Sequence, residues 1–181
     1  MKSLHCNLSY ARIIPREAVA LLSMKLSKEE KAYIAGFLDG DGSIYVKLKP
    51  NSTYRYKFQI SPAIVFYQSQ KEKDYLWWLR KKIGKGYLRE RNDGIVEYII
   101  GDVKSLRELI KDLLPHLRLK KKQAKLMLEV LRAKEKIKTP KEFLNLAKKI
   151  DLFQQINYSK KRIQNSARVK KVLEKEGLLA L

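Results

Sequence analysis

At 181 residues, 45% of them hydrophobic, the chain is long enough for one complete core and too short for two ordinary domains. Forty Lys and Arg against nineteen Asp and Glu leave a net charge of +21, which repels itself in a compact state unless a polyanion is bound, so nucleic acid is the leading partner. No stretch approaches the roughly 18 apolar residues of a membrane span, and a lone Cys6, with His5 and His116 far apart from each other, offers neither an intrachain disulfide nor a zinc cluster.

Residues 1–26 read as an N-terminal extension: Arg12 to Arg16 lead into a short apolar run, Ala18 to Met24, that joins no longer periodic pattern. A transit peptide, an accessory helix and coding sequence inherited from upstream all remain open for it. Residues 27–181 form the expected domain. It starts with Ser27-Lys28-Glu29-Glu30, the spacing of a capping box, and a helix running to about Leu38 is expected.

After Gly42 the period becomes two. Ile44, Val46 and Leu48 alternate with Ser43, Tyr45, Lys47 and Lys49, which predicts a half-buried strand. Pro50-Asn51-Ser52 is turn chemistry. A second run then places Tyr56, Phe58, Ile60 and Ile64 on one face, with Arg55, Lys57, Gln59 and Ser61 opposite, and Pro62 within it predicts a bulge or an unpaired edge. Lys71 to Ile83 has a helical pattern stopped by Gly84. Asn92-Asp93-Gly94 joins two further strands, Tyr87 to Arg91 and Ile95 to Ile100, and completes a four-stranded antiparallel sheet. Apolar stripes at Leu106, Leu109, Ile110 and Leu113, then at Ala124, Leu126, Met127 and Leu131, predict two helices. Two more are expected from Pro140 to Gln155 and from Lys160 to Glu176. The class is α+β, a helix-hairpin-helix-hairpin order followed by C-terminal helices, with one copy of every motif.

Tyr33-Ile34-Ala35-Gly36-Phe37-Leu38-Asp39-Gly40-Asp41-Gly42 combines small residues in a helix with an acidic, glycine-rich end. Small residues let a second helix approach, and the helix end then delivers a carboxylate to the seam. An isolated Asp-Gly-Asp-Gly is more often a plain turn. Here it is accompanied by Lys49-Pro50-Asn51, by Ile83-Gly84-Lys85-Gly86-Tyr87-Leu88-Arg89-Glu90-Arg91 and by Leu117-Arg118-Leu119-Lys120-Lys121-Lys122-Gln123-Ala124. In this order the chain resembles the single-motif, homodimeric branch of the LAGLIDADG homing endonucleases from about Ser27 to Leu173.

The resemblance implies a saddle-shaped sheet on double-stranded DNA, a dimer seam at Tyr33, Ala35, Gly36 and Phe37, and metal-dependent phosphodiester hydrolysis with Mg2+ or Mn2+. It implies that Asp41 holds the metal with the Gly40 carbonyl, that Lys120 stabilises charge near the cut phosphate, and that Gln68 orders water. Relatives place a second basic residue four positions after that glutamine. This chain has Glu72 there, and its neighbours Lys71 and Lys73 are either substitutes or an ordinary charged helix start.

The expected DNA contacts are Ser43, Lys47, Lys49, Asn51, Arg55, Lys57, Gln59, Ser61, Tyr67, Arg89, Arg91 and Glu97, residue types that contact bases or phosphates. Glu97 either accepts from cytosine or orients an arginine, and Val65 and Ile99 meet thymine methyl groups. Ser159, Lys160 and Arg162 resemble the family's backbone-gripping segment. The expected activity is a double-strand cut at a long pseudo-palindromic site, supporting intron homing, with no membrane or small-molecule partner. An RNA maturase or a non-cutting DNA-binding regulator on the same fold is the alternative. An organellar setting, chloroplast or mitochondrion, is what the resemblance implies.

Overall fold

The computed structural model describes residues 26–157 and 163–179. All but Leu26 of the expected extension therefore lies outside the described residues, as do Ser159, Lys160 and Arg162.

Helix α1 spans Lys28–Asp41 and is started by a capping box: the Ser27 hydroxyl accepts the Glu30 amide, and the Glu30 carboxylate accepts the Ser27 amide. It runs three residues beyond the expected end, so Asp39, Gly40 and Asp41 are helical rather than a turn. Strand β1, Gly42–Pro50, follows with no linker. A Cβ at Gly42 would lie 2.7 Å from the Leu38 carbonyl oxygen and 2.9 Å from the Leu38 Cα, so only glycine fits this direct passage from helix to strand.

Strand β2 covers Phe58–Ser69 and pairs antiparallel with β1 from Gly42↔Phe66 to Pro50↔Phe58. The ladder has no bulge. Pro62 pairs with Val46 but lies two residues beyond Ile64↔Ile100, the last pair made with the next strand, so β2 has an open side for its missing N–H. Arg55, Tyr56 and Lys57 belong to the turn and not to the strand, and Lys57 has a φ of 61°.

A short 3₁₀ turn, Gln70–Glu72, opens helix α2, Lys73–Ile83, which ends at Gly84 with a φ of 73°. The hairpin of β3, Tyr87–Glu90, and β4, Ile95–Ile100, turns through Gly94 at a φ of 77°, a conformation that the Asn-Asp-Gly sequence makes accessible. The sheet order is β1-β2-β4-β3, antiparallel throughout. Helices α3, Val103–Leu113, α4, Lys121–Lys136, α5, Pro140–Ile156, and α6, Ser166–Lys175, complete the chain. The last starts at Ser166, not Lys160, because the Asn165 side chain caps the Arg168 amide.

The main core lies between the helices and one sheet face. Ile44, Val46, Leu48, Ile64, Phe66, Tyr98 and Ile100 meet Ile34, Leu38, Leu76, Leu106, Met127 and Phe153 there. Among the described residues no helix covers the opposite face. The edge strand β1 is guarded at the Ile44 carbonyl, which accepts from Asn157 Nδ2 at 3.0 Å.

Candidate functional site

Asp39 of α1 and Lys120, 81 residues further along at the start of α4, meet at the end of α1. The buried Asp39 carboxylate accepts the main-chain N–H groups of Arg118, Leu119 and Lys120 at 2.6, 3.1 and 2.8 Å. It thereby holds the turn that begins α4, rather than its own helix end. Lys120 Nζ in turn donates to the Asp39 carbonyl at 2.5 Å. Burial pulls the Lys120 ammonium below the ordinary lysine pKa, against the raising influence of the Asp39 and Asp41 carboxylates.

Asp41 is exposed and makes no hydrogen bond or ion pair to any described residue. The last carbonyls of a helix lack intrahelical donors, so the Gly40 carbonyl beside it is an available second oxygen. A free carboxylate and a carbonyl suit a hard divalent cation. Among the described residues no group of three or more His, Cys, Asp and Glu gathers to hold a metal, so one chain offers only part of such a site.

Gln68 is two residues past the Gly42↔Phe66 pair, on the strand end that runs by the α1 terminus. Its Oε1 accepts the neighbouring Ser69 amide at 2.8 Å. Lys71 is exposed in the 3₁₀ turn, while Lys73 opens α2 and approaches Glu90 at 4.0 Å. Glu72 is exposed and caps nothing. The structure does not bring Lys71 or Lys73 into contact with Asp41 or Lys120.

On the open sheet face, register places Ser43, Tyr45, Lys47 and Lys49 of β1 opposite Val65, Ala63, Ser61 and Gln59 of β2, and then Tyr67 opposite Glu97 and Glu97 opposite Arg89. Glu97 is only 5% exposed, because Arg89 Nε donates to it at 2.6 Å, Arg89 Nη2 also donates to it, and Arg91 Nη1 reaches it at 3.4 Å. Of its two expected roles, the geometry is that of orienting an arginine.

Val65 and Ile99 were expected to meet a ligand directly, yet they are 1% and 7% exposed. Tyr45 and Tyr67 pack over them and over Ala63. This shelter pushes the Tyr45 phenol up to about 12 and raises that of Tyr67 as well, so both hydroxyls are neutral donors near pH 7. Lys47 Nζ sits 4.6 Å from the Tyr45 ring centre. Tyr45 was missed because strand parity gives a face, not which side chain covers which.

Lys57 leaves the face altogether: its positive φ turns the chain, and its ammonium pairs with Glu176 at 3.2 Å. Arg55 is exposed over the Tyr56 ring, and Asn51 caps the hairpin turn through the Thr53 amide and hydroxyl.

Glu29, Tyr33, Gly36, Gly40 and Asp41 line one exposed stripe of α1, with Phe37 half-buried at its edge. At Gly36 a Cβ would meet nothing within 4 Å, so the backbone is open to close approach. Ala35 differs from expectation. It is fully buried in the protomer's own core beside Ile34 and Leu38, so its side chain is absent from the stripe.

A profile of the LAGLIDADG endonucleases matches residues 34–127, which include α1, the sheet and Lys120. The chain is 36% identical over 154 residues to the DNA endonuclease I-CreI of Chlamydomonas reinhardtii, covering 84% of this chain and 94% of that protein. The chain belongs to the LAGLIDADG endonuclease family. A second member, DNA endonuclease I-CvuI of Chlorella vulgaris, is 32% identical over 146 residues, or 81% of this chain and 91% of that one. The solved LAGLIDADG structure of I-CvuI with its target in the presence of calcium superposes with a TM-score of 0.80 at 31% identity, covering 84% of this chain and 98% of that chain. The family's fold is therefore the fold of this chain, and it is an endonuclease fold with a single motif.

Proposed function

We propose that the chain is a homodimeric, site-specific DNA endonuclease that makes double-strand breaks at a long pseudo-palindromic site, with the catalytic domain in residues 27–181. The observation that carries this reading is the free Asp41 carboxylate at the end of an exposed helical stripe, beside a lysine whose ammonium is fixed by Asp39. I-CvuI, the relative solved with its DNA target, supports duplex DNA as the substrate.

Pairing two copies along the stripe gives each strand its own attack and supplies the second Asp41 that one chain lacks. The Asp41 carboxylate and Gly40 carbonyl would hold Mg2+ or Mn2+, and such a cation supplies an activated water near neutral pH and neutralises phosphate charge. Lys120 directs its ammonium to the scissile phosphate and stabilises charge that develops there. Gln68 orders water at the strand end. Lys71 and Lys73 act on the phosphates next to the cut, since neither contacts the Asp41–Lys120 pair.

The open sheet face reads the half-site. Ser43, Lys47, Lys49, Gln59, Ser61, Tyr67, Arg89 and Arg91 meet bases and phosphates, with Glu97 orienting the two arginines. Asn51 and Arg55 reach the outer end of the site from the hairpin turn. Ser159, Lys160 and Arg162 grip the backbone. An organellar intron as the coding context follows from the resemblance.

Incubation with a randomised duplex library and Mg2+, followed by sequencing of cut ends beside an EDTA control, tests the proposal. Recurrent two-strand cuts at one sequence, lost in EDTA, are expected. Binding without cutting in any divalent metal would sink it.

A further inference from the structure

The open sheet face is cationic at its sides and apolar at its centre. Ala63, Val65 and Ile99 form a small cluster there, separate from the main core. Register sets Tyr45 opposite Ala63, Val65 opposite Ile99, and Ile99 opposite Tyr87. Tyr45 and Tyr67 lie across the cluster, each half-buried, so each keeps part of its ring on the outside. Tyr87 is exposed on the third side. Together they make a plate of aromatic carbon between Lys47, whose Nζ sits over the Tyr45 ring, and the Arg89–Glu97 pair.

Phosphates and the polar edges of bases satisfy the cations, but they give the plate nothing. Apolar surface gains free energy only by leaving water against other apolar surface. In the major groove of DNA the one apolar group on offer is the C5 methyl of thymine. The phenols add direction. Among the described residues neither the Tyr45 nor the Tyr67 hydroxyl makes a hydrogen bond, so each is available to a ligand. A neutral phenol can donate to thymine O4, the acceptor next to the methyl.

We infer that Tyr45 and Tyr67 form a methyl-reading plate that selects thymine in each half-site, and that takes 5-methylcytosine there in preference to cytosine. This rests on the DNA-cleaving reading above and names the base that the centre of the face accepts. Strand β1 begins at Gly42, close to Tyr45, and runs on to Pro50. The selected base therefore lies in the inner part of the half-site, towards the cut and away from the hairpin turn.

Deoxyuridine differs from thymidine only by that methyl, so the test changes the DNA rather than the protein. In the site selected from the duplex library, each inner thymine is replaced by deoxyuridine in turn, in both half-sites at once. The dissociation constant is read by fluorescence anisotropy with EDTA present to prevent cutting. One position is expected to weaken binding about threefold to fivefold per half-site, the worth of one buried methyl group. At that position 5-methylcytosine is expected to bind more tightly than cytosine by a similar factor. Tyr45→Phe keeps the ring and should still tell thymine from uracil, whereas Tyr45→Ser or Tyr67→Ser should level the two, with a melting curve as the folding control. Uracil without effect at every inner position, a selected site with no inner thymine, or a methyl effect that both serine variants retain in full overturns the inference. A chain that binds no duplex sequence selectively would instead overturn the DNA-cleaving reading itself.

Discussion

Lys120 is tied to Asp39 at both of its ends: its main-chain N–H donates to the carboxylate at 2.8 Å and its ammonium donates to the carbonyl at 2.5 Å. The motif helix therefore positions the lysine across 81 residues of sequence, and leaves the Asp41 carboxylate without a hydrogen bond or ion pair among the described residues.

Asp41→Asn keeps the shape of the side chain and removes its charge. Cleavage should fall by about a thousandfold or more, the several kcal/mol that a bound cation contributes, while DNA affinity changes little. A nicking assay beside a gel shift reads both, and full cutting by the variant would remove Asp41 from the metal site.

Asp39→Ala leaves three main-chain N–H groups without their acceptor and frees the turn before α4. Stability should drop by about 2–4 kcal/mol, as for loss of a buried group with several hydrogen bonds. Urea unfolding measures it. Cleavage should fall further than stability explains, because the Lys120 main chain loses its carboxylate anchor even though the Asp39 carbonyl that accepts from its ammonium remains.

Lys120 is shifted downward by burial, so its ammonium is lost at a pH below the ordinary lysine value of 10.5. If the charged form serves catalysis, the rate falls on the alkaline side below that value. Lys120→Arg, which stays charged, should cut more slowly but without this limb. The sign for folding is opposite. Above the folded pKa the unfolded chain holds more protons, so this group's contribution to stability rises with pH up to the unfolded value. A pH–rate profile that is the same in both proteins would refute the assignment.

The cationic sheet predicts salt-sensitive binding. With six to ten phosphate contacts, affinity should fall about 10³- to 10⁵-fold between 50 and 200 mM salt. A flat titration by fluorescence anisotropy contradicts contact through Lys47, Lys49, Arg89 and Arg91.

Glu97→Gln loosens Arg89 and Arg91 while leaving both cations in place. Library selection should show relaxed preference by about 1–3 kcal/mol at one base per half-site, with overall affinity retained. Unaltered preference would mean that neither arginine reads a base.

Much of this was legible in the sequence because it is local chemistry. The Ser27 and Glu30 capping box, the alternation of β1 and the Asn-Asp-Gly hairpin each depend on neighbours a few residues apart, and each appears where expected. What was hidden depends on distant partners. The helix continues to Asp41 while Asp39 is engaged with amides 79 to 81 residues away. Ala35 and Gly36 look equivalent as small residues, yet a rotation of about 100° per residue sends one into the core and the other to the surface. Val65 and Ile99 have the right parity for the open face, but Tyr45 and Tyr67 lie across them.

Gly42 lets α1 become β1 without an intervening residue, so the Asp41 carboxylate and Ser43, the first side chain proposed to read a base, share one stiff lever. The spacing along the duplex between the severed bond and the nearest recognised base is then a fixed property of the backbone. Drift in specificity can repaint the strands with new side chains, but it cannot slide the scissors relative to the ruler.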